Sequence, residues 1–418
     1  MSLNVLFVTP YLPAPPDFGG ASRMYHLVRE IGRRHAVTTL SLVAPGDDPH
    51  MAETGLGRVV PLPVPLTARA AAAPAKRLIQ LRSLVSPRSF QHRFYWYVAM
   101  QRALDRLTAS ERFDVVQFEF SQMGVYRVPP GVPSILDIHN IEHDVLRRIA
   151  AMGSTARRLF NQIEYRKYRR EERDAWRRAS ACIATSAADA RIVSRTTGRP
   201  VEVVPNGVDL DAFPRLPLDG ADPGALVFVG AMRYRPNADA ARFFVADVLP
   251  RLRVTIPDAT LTIVGADPPP DVVALGAVPG VQITGTVPDV RPWVSQAGTV
   301  VVPLLSGGGT RLKILEAFAM GRPVVSTTVG ATGIEARNGE HLLLADRPEA
   351  FARAIARLMD EPGLRDRLIE RASALVRDRY QWSSAAERLE AVYNAVRLGA
   401  VASKRLGEEA SGRRGRAG

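Results

Sequence analysis

In SGGGTRLKILEAFAMGRPVV, Ser306 to Val325, three glycines, a threonine, two cations and a glutamate crowd around one expected helix start. Gly307, Gly308 and Gly309 form a turn that lets backbone approach a ligand, and Thr310 stands where a cap would. Leu312, Leu315 and Ala319 then recur at i, i+3 and i+7 along one helical face. A helix N-terminus carries partial positive charge and favours acids in its first turn, yet Arg311 and Lys313 occupy this one. Those types suit an anion. Free N–H groups grip phosphate oxygens, the cations neutralise them, and Glu316, one turn past Lys313, is placed to accept from a ribose diol. The pattern describes a nucleotide diphosphate site; the plain alternative is a glycine hinge before a helix with surface cations.

Three further clusters carry candidate chemistry. LDIHNIEHDV ends an apolar run on Asp137, His139, Asn140 and Glu142, with His143 four residues after His139. Histidines at i and i+4 can share a helical face and a metal, but His139 falls at a strand end and no other His or Cys cluster supplies ligands, so no metal is expected. His139 is expected instead to hydrogen-bond a hydroxyl or a transition-state charge, with a satisfied structural histidine as the alternative. Gly19 and Gly20, after the first strand, form a second candidate ligand loop. FVGAMRYRPNAD brings Arg233 and Arg235 to another strand end, in reach of a diphosphate or simply on the surface. Asp209 and Asp211 read as turn residues, and no G-x-S-x-G elbow or Walker loop is present.

Short β-branched runs alternating with amphipathic stretches must position these residues, the mark of a parallel sheet wrapped by helices. One series holds NVLFVTP, AVTTLSLV, DVVQFEF, PSILDIHN, ACIATS and VEVVPNG, with a helix over Ala21–Arg34. After a Pro-, Gly- and Asp-rich stretch, a second holds ALVFVGA, ATLTIVGA, VQITGTV, GTVVVPLL, PVVSTT and HLLLAD. The expectation is two doubly wound α/β domains, 1–208 and 209–398, facing a central cleft. A last helix over 381–398 is placed to cross back to the first domain, and a charged, glycine-rich tail, 399–418, is expected to be disordered.

A chain of 418 residues suits two domains, and its formal net charge of +13 permits anionic partners. From Arg147 to Arg178 a long helix is expected, with Tyr168, Ala175, Trp176 and Ala179 on its buried stripe and a strongly basic outer face. That face is either solvated or set against an anionic membrane. Nucleic acid is not expected, for want of a recognised module or an aromatic-studded basic patch. The single Cys182 excludes an internal disulfide and reads as a buried thiol. With no apolar run of membrane-spanning length and no cleavable leader, the protein is expected to be cytoplasmic.

From Asn4 to Leu398 the ordered run of GG loop, DIHN, VVPNGVDLDAF, FVGAM, TIVGA, ITGTVPDVRPW and LEAFAMGRPVVSTTVGATGI resembles glycosyltransferase family 4, of the glycosyltransferase group 1 type. The resemblance implies the GT-B fold and a retaining, metal-independent hexosyltransferase needing no cofactor. Its nucleotide-sugar donor would sit in the C-terminal domain, and a glycan, lipid-linked or small-molecule acceptor on the N-terminal side. It implies that Glu316 holds the ribose hydroxyls, that Gly19 and Gly20 form the N-terminal glycine loop, and that His139 lies near the reacting sugar. Gly308 stands where the family has the first glutamate of a pair, and its usual Arg and Lys after the first strand of the C-terminal domain are not cleanly kept in GAMRYRPN, which leaves Arg233, Arg235, Arg311 and Lys313 as the candidate substitutes. The donor site would also use Gly309 and Thr310, with His139, Lys313 and Arg311 carrying catalysis. The implied mechanism is front-face displacement, in which the diphosphate leaves and the acceptor hydroxyl enters from the same side. The basic face of the Arg147 to Arg178 stretch, rather than the resemblance, raises the expectation that such an enzyme of polysaccharide biosynthesis works in peripheral contact with the inner face of the cell membrane. The rivals are a nucleotide-sugar epimerase or hydrolase, and a non-catalytic binding module in envelope assembly.

Overall fold

The computed structural model describes residues 2–16, 18–45, 47–48, 55–65, 73–150, 155–307 and 309–414. The chain divides into two units, Met1–Pro205 with Ala385–Gly418, and Asn206–Ser384.

In the first unit, seven strands run β1 (Asn4–Thr9), β2 (Ala36–Val43), β3 (Arg58–Pro63), β4 (Val115–Glu119), β5 (Ser134–Ile138), β6 (Ala181–Ala184) and β7 (Glu202–Val203). They lie in the order β3-β2-β1-β4-β5-β6-β7, paired in parallel throughout. Strand order reverses direction between β1 and β4, the place where doubly wound sheets open a crevice at the carboxyl ends of their strands. Helices cover both faces, so the strands read as nearly unbroken apolar runs. Leu6, Val8, Val116, Phe118, Leu136 and Ile138 pack with Met100, Leu104 and Trp176, each large side chain contributing roughly 1.5–3 kcal/mol by leaving water. The Arg58–Pro63 strand was not among those expected. Pro61 and Pro63 argue against an inner strand, and the sheet accommodates them by putting β3 at its edge.

The second unit repeats the plan with β8 (Asp222–Val229), β9 (Thr260–Val264), β10 (Val281–Gly285), β11 (Ala297–Val302), β12 (Val324–Ser326) and β13 (Leu343–Leu344). Their order is β10-β9-β8-β11-β12-β13, again all parallel, with the reversal between β8 and β11. Leu226, Phe228, Val300, Val302, Ile314, Phe318 and Phe351 belong to its core.

Three expectations need correction. The helix expected over Ala21–Arg34 runs Gly19–Gly32. The single helix expected from Arg147 to Arg178 is two, Glu142–Ala150 and Thr155–Arg178; the intervening sequence holds Gly153, a weak helix former, and Ser154, a residue type that caps helices. Glu172 organises the start of the earlier helix by accepting from the backbone N–H groups of Glu142 (3.1 Å) and His143 (3.0 Å). The last helix runs Trp382–Arg414, so the tail expected to be disordered from 399 continues the helix to Arg414, and 415–418 lie outside the described residues. Ala385, Ala386, Leu389 and Tyr393 are its buried stripe.

Candidate functional site

In the second unit, the carboxyl ends of β8 and β11 flank the reversal, and both lead into the expected phosphate-binding residues. β11 passes into the glycine turn, where Gly307 and Gly309 adopt φ of 122° and 76°, backbone open to glycine and strained for other residues. Gly308 lies outside the described residues. The helix that follows is Leu312–Ala319, preceded by Arg311, with no side-chain cap and no acid in its first turn. Thr310 therefore does not make the expected cap; among the described residues its buried Oγ1 has no hydrogen-bond partner. The first-turn N–H groups are thus not engaged by a capping side chain.

Ile314, Leu315, Ala317 and Phe318 anchor this helix in the core, which fixes Lys313 and Glu316 on the remaining side. Lys313 Nζ donates to Asn237 Oδ1 at 3.0 Å and lies 4.6 Å from the centroid of the Phe228 ring. Gly230, directly after β8, is what admits it: a Cβ there would sit 2.7 Å from both Lys313 Nζ and Asn237 Nδ2. Burial, with Arg311 nearby, brings the Lys313 amine down to about 7, while burial pushes Glu316 up to about 7. Arg311 is buried, 7% exposed, and Lys313 and Glu316 are partly buried. Two cations and one carboxylate are thus held with little water at the start of an uncapped helix, an arrangement costly by itself and stabilised by an incoming anion.

Arg233 and Arg235 are placed differently. Arg233 and Arg235, on the loop and first turn after β8, pair with Asp267, beyond β9, at 3.0 Å and with Asp239 at 3.4 Å, all at exposed or partly exposed positions. Asp209 accepts from the backbone N–H groups of Asp211 and Ala212 (3.0 and 3.1 Å), the hydrogen bonding of a turn.

In the first unit, His139 follows β5 and Glu119 ends β4, which brings His139 Nε2 to 2.8 Å from Glu119 Oε2 and 3.7 Å from Asp137 Oδ2. Arg23, from the first helix, grips Asp137 through two bonds, Nε to Oδ2 at 2.8 Å and an Nη to Oδ1 at 3.0 Å. Gln117 donates to Glu119 Oε1 (2.7 Å), and the Tyr393 hydroxyl of the last helix donates to Gln117 Oε1 (2.6 Å). The His139 ring stacks on Phe120, centroids 3.7 Å apart. Phe120 is held at φ 67°, unusual for a non-glycine, and its ring presses on Gly20, where a Cβ would lie 2.7 Å from both Phe120 Cζ and the Tyr11 hydroxyl. Burial lowers His139 to about 3 and raises Glu119 to about 7, so the imidazole is neutral at physiological pH, one ring nitrogen tied to Glu119.

Glu119, Asp137 and His139 present ligand atoms all within 4.8 Å of one another, close enough for a metal ion. The donor set is already compensated, because the Arg23 guanidinium supplies the positive charge that Asp137 needs. His143 takes another partner, its Nδ1 lying 2.6 Å from Glu172. Arg23, Gln117, Glu119 and Tyr393 escaped the sequence reading, as did Asn237 and Phe228. Polar Gln117 and Glu119 inside an otherwise apolar strand were an available signal, and so was Arg23 beside the apolar stripe of its helix.

The profile for Glycosyltransferase Family 4 matches residues 18–212, and that for Glycosyl transferases group 1 matches 223–361. A phosphatidyl-myo-inositol mannosyltransferase of Mycobacterium tuberculosis (strain H37Rv) is 31% identical over 210 residues, 46% of this chain and 53% of that protein. The chain thus spans about half the length of the curated relatives it matches. Among solved structures, sucrose-phosphate synthase from Thermosynechococcus elongatus superposes with a TM-score of 0.68 at 18% identity, covering 94% of this chain and 99% of that one. Anabaena Alr3699/HepE in complex with UDP and glucose gives 0.65 at 14% identity, covering 94% and 99%. At such identities the structural likeness establishes the fold, a pair of parallel-sheet α/β domains of the GT-B type.

Proposed function

Because the chain belongs to the glycosyltransferases of family 4 and group 1 type, we propose that it transfers a hexose, with retention and without a metal, from a nucleotide-sugar to an acceptor hydroxyl. The observation that carries this reading is the group formed by buried Arg311 and partly buried Lys313 and Glu316 at the uncapped start of the Leu312–Ala319 helix. Arg311, Lys313 and the first-turn N–H groups neutralise the leaving diphosphate, and Glu316 accepts from the ribose diol. Lys313 becomes fully charged as the anion arrives, so the cation acts where negative charge grows. His139, neutral and steered by Glu119, hydrogen-bonds the sugar rather than exchanging a proton. Gly19 and Gly20 keep backbone close to the sugar side, and Gly309 and Thr310 line the phosphate turn. No protein nucleophile enters: the acceptor hydroxyl attacks from the face the diphosphate leaves, and orientation with charge neutralisation supplies the rate.

A lipid-linked acceptor at the inner membrane face fits the surface of the first unit. Glu164, Glu171 and Glu172 of the Thr155–Arg178 helix turn inward to accept from Phe90, Ser89 and His143, leaving Arg157, Arg158, Arg166, Arg169 and Arg170 exposed. The helix Ala73–Leu84, in contact with it, exposes Leu78, Leu81 and Leu84. Cations beside leucines are the composition of an interfacial surface. No helix among the described residues is long and apolar enough to cross a membrane. The relative named a phosphatidyl-myo-inositol mannosyltransferase supports a lipid acceptor, and Anabaena HepE, bound to UDP and glucose, supports a nucleotide-sugar donor.

The test is a thermal-shift screen of UDP-, GDP-, ADP- and dTDP-sugars, with magnesium and with a chelator. A stabilisation by one nucleotide that survives the chelator is the expected outcome, since a ligand selective for the native state raises its melting temperature. No stabilisation by any of them, from folded protein, refutes the reading.

A further inference from the structure

Along β4 the side chains alternate, so Val116 and Phe118 enter the apolar cluster with Met100, Leu104 and Trp176 while Gln117 and Glu119 share the opposite face. Glu119 pairs in register with Asp137, which brings that carboxylate, and His139 two residues on, to the same face. Arg23 of the first helix and Tyr393 of the last reach this face through their hydrogen bonds to Asp137 and Gln117. Gln117, Glu119, Asp137, Arg23 and Tyr393 are all fully buried. A polar seam this deep in the fold has to satisfy its own hydrogen bonds, and that fixes their directions.

The amide of Gln117 is set from both sides. Its Nε2 donates to Glu119 Oε1 at 2.7 Å; turned over, it would hold its carbonyl oxygen against the carboxylate. Its Oε1 then faces the last helix and needs a donor, which the Tyr393 hydroxyl supplies at 2.6 Å. Glu119 keeps Oε2 for His139 Nε2, 2.8 Å away. The imidazole has little other freedom, since its ring stacks on Phe120 and the Thr185 hydroxyl donates to its backbone carbonyl at 3.2 Å. Which nitrogen carries the proton is decided by Glu119. An ionised carboxylate accepts from Nε2–H and leaves Nδ1 an acceptor; a protonated one donates to Nε2 and makes Nδ1 the donor. Burial raises Glu119, while the Arg23 charge and the Gln117 hydrogen bond favour its ionised form. Among the described residues Nδ1 has no hydrogen-bond partner. Tyr393 otherwise continues the stripe of Ala386 and Leu389, where packing alone asks for a ring and not for a hydroxyl.

We propose that Tyr393 is a positioning residue for His139: through Gln117 and Glu119 its hydroxyl keeps the imidazole proton on Nε2 and presents Nδ1 as a bare acceptor to a substrate hydroxyl. The substrate side of this statement rests on the reading of His139 as the histidine beside the reacting sugar; the hydrogen-bond chain from the last helix does not.

The experiment uses the full chain with isotopically labelled histidine, whose imidazole nitrogen chemical shifts report the tautomer; the His139 signals are those lost in His139→Asn. At about pH 8.5, above the value to which Glu119 is raised, wild type is expected to show one tautomer with the proton on Nε2. Tyr393→Phe keeps the ring but leaves Gln117 Oε1 buried without a donor, and is expected to give a mixture or the Nδ1 form; Gln117→Met, which removes the amide, is expected to do the same. A packing role alone predicts a lower melting temperature for Tyr393→Phe with the tautomer unchanged. That result overturns the proposal, as does a wild-type His139 with its proton on Nδ1. Release of nucleoside diphosphate from the donor chosen by the thermal-shift screen is the second readout: Tyr393→Phe is expected to lower kcat by about tenfold with KM within about twofold, and to add nothing to His139→Asn. A tautomer that moves while turnover does not would uphold the positioning and remove His139 from the sugar. Absence of turnover in wild type would count against the transfer reading, with the tautomer still deciding the role of Tyr393.

Discussion

Lys313→Met is expected to stabilise the free protein while weakening its binding of nucleotide diphosphates. Holding this amine at about 7 instead of 10.5 corresponds to roughly 5 kcal/mol against its charged form, at ~1.4 kcal/mol per factor of ten. That figure is a ceiling. Lys313 keeps some exposure, and methionine forfeits both the Asn237 hydrogen bond and the cation over Phe228, so about 1–2 kcal/mol of net gain is expected near pH 6. Glu316, raised to about 7, is mostly protonated there and loses little when its cation disappears. The sign with pH follows from the lowered amine. Below about 7 lysine is charged in both folded and unfolded chains and the burial penalty is present in full; it shrinks as pH rises from 7 toward 10.5, where both states become neutral. Urea denaturation of wild type and variant at pH 6 and pH 10 measures the difference directly. A variant less stable than wild type by over about 1 kcal/mol at pH 6 would refute the reasoning, because Lys313 would then be a stabilising partner rather than a cation held for a ligand.

Two further substitutions test the first unit. Arg23→Met leaves the buried Asp137 carboxylate without its cation and is expected to cost about 3–5 kcal/mol at pH 7. Asp137 is already raised by burial and rises further without Arg23, so the loss grows with pH above its unfolded value; chemical denaturation showing the same loss at pH 4 and pH 7 would contradict this. Gly20→Ala places a methyl 2.7 Å from Phe120 Cζ and the Tyr11 hydroxyl, and is expected to lower stability by about 1–3 kcal/mol despite alanine's better helix propensity. A melting temperature equal to or above wild type would show that this contact is not tight.

Much of the architecture could be read from the chain because a parallel sheet buried on both faces writes itself as short β-branched runs, from NVLFVT to TVVV, broken by glycine and polar loops. The strand RVVPLP was hidden by its prolines, which only an edge position tolerates. Of the sites, Arg311, Lys313 and Glu316 were legible because helix spacing and helix polarity make cations in a first turn without acids conspicuous, whereas the missing Thr310 cap was not. The His139 cluster was half legible: Asp137 and His139 are neighbours in sequence, whereas Arg23 joins Asp137 from 114 residues away, Glu119 joins His139 from 20 and Tyr393 joins Gln117 from 276, through pairings that only the sheet order and the last helix create. The strongly basic outer face expected of this stretch is accentuated by something no local pattern carries: the fold turns Glu164, Glu171 and Glu172 of the Thr155–Arg178 helix toward Phe90, Ser89 and His143.

The central claim is tested most directly by calorimetric titration of wild type and Lys313→Ala with the nucleoside diphosphate chosen by the thermal-shift screen and with its parent nucleoside. Removing a charge-assisted contact to phosphate is expected to weaken diphosphate binding by roughly 10–100-fold and nucleoside binding by less than about threefold. Equal losses for the two ligands, or diphosphate binding indifferent to Lys313, would contradict the assignment of this helix start to a nucleotide-sugar diphosphate.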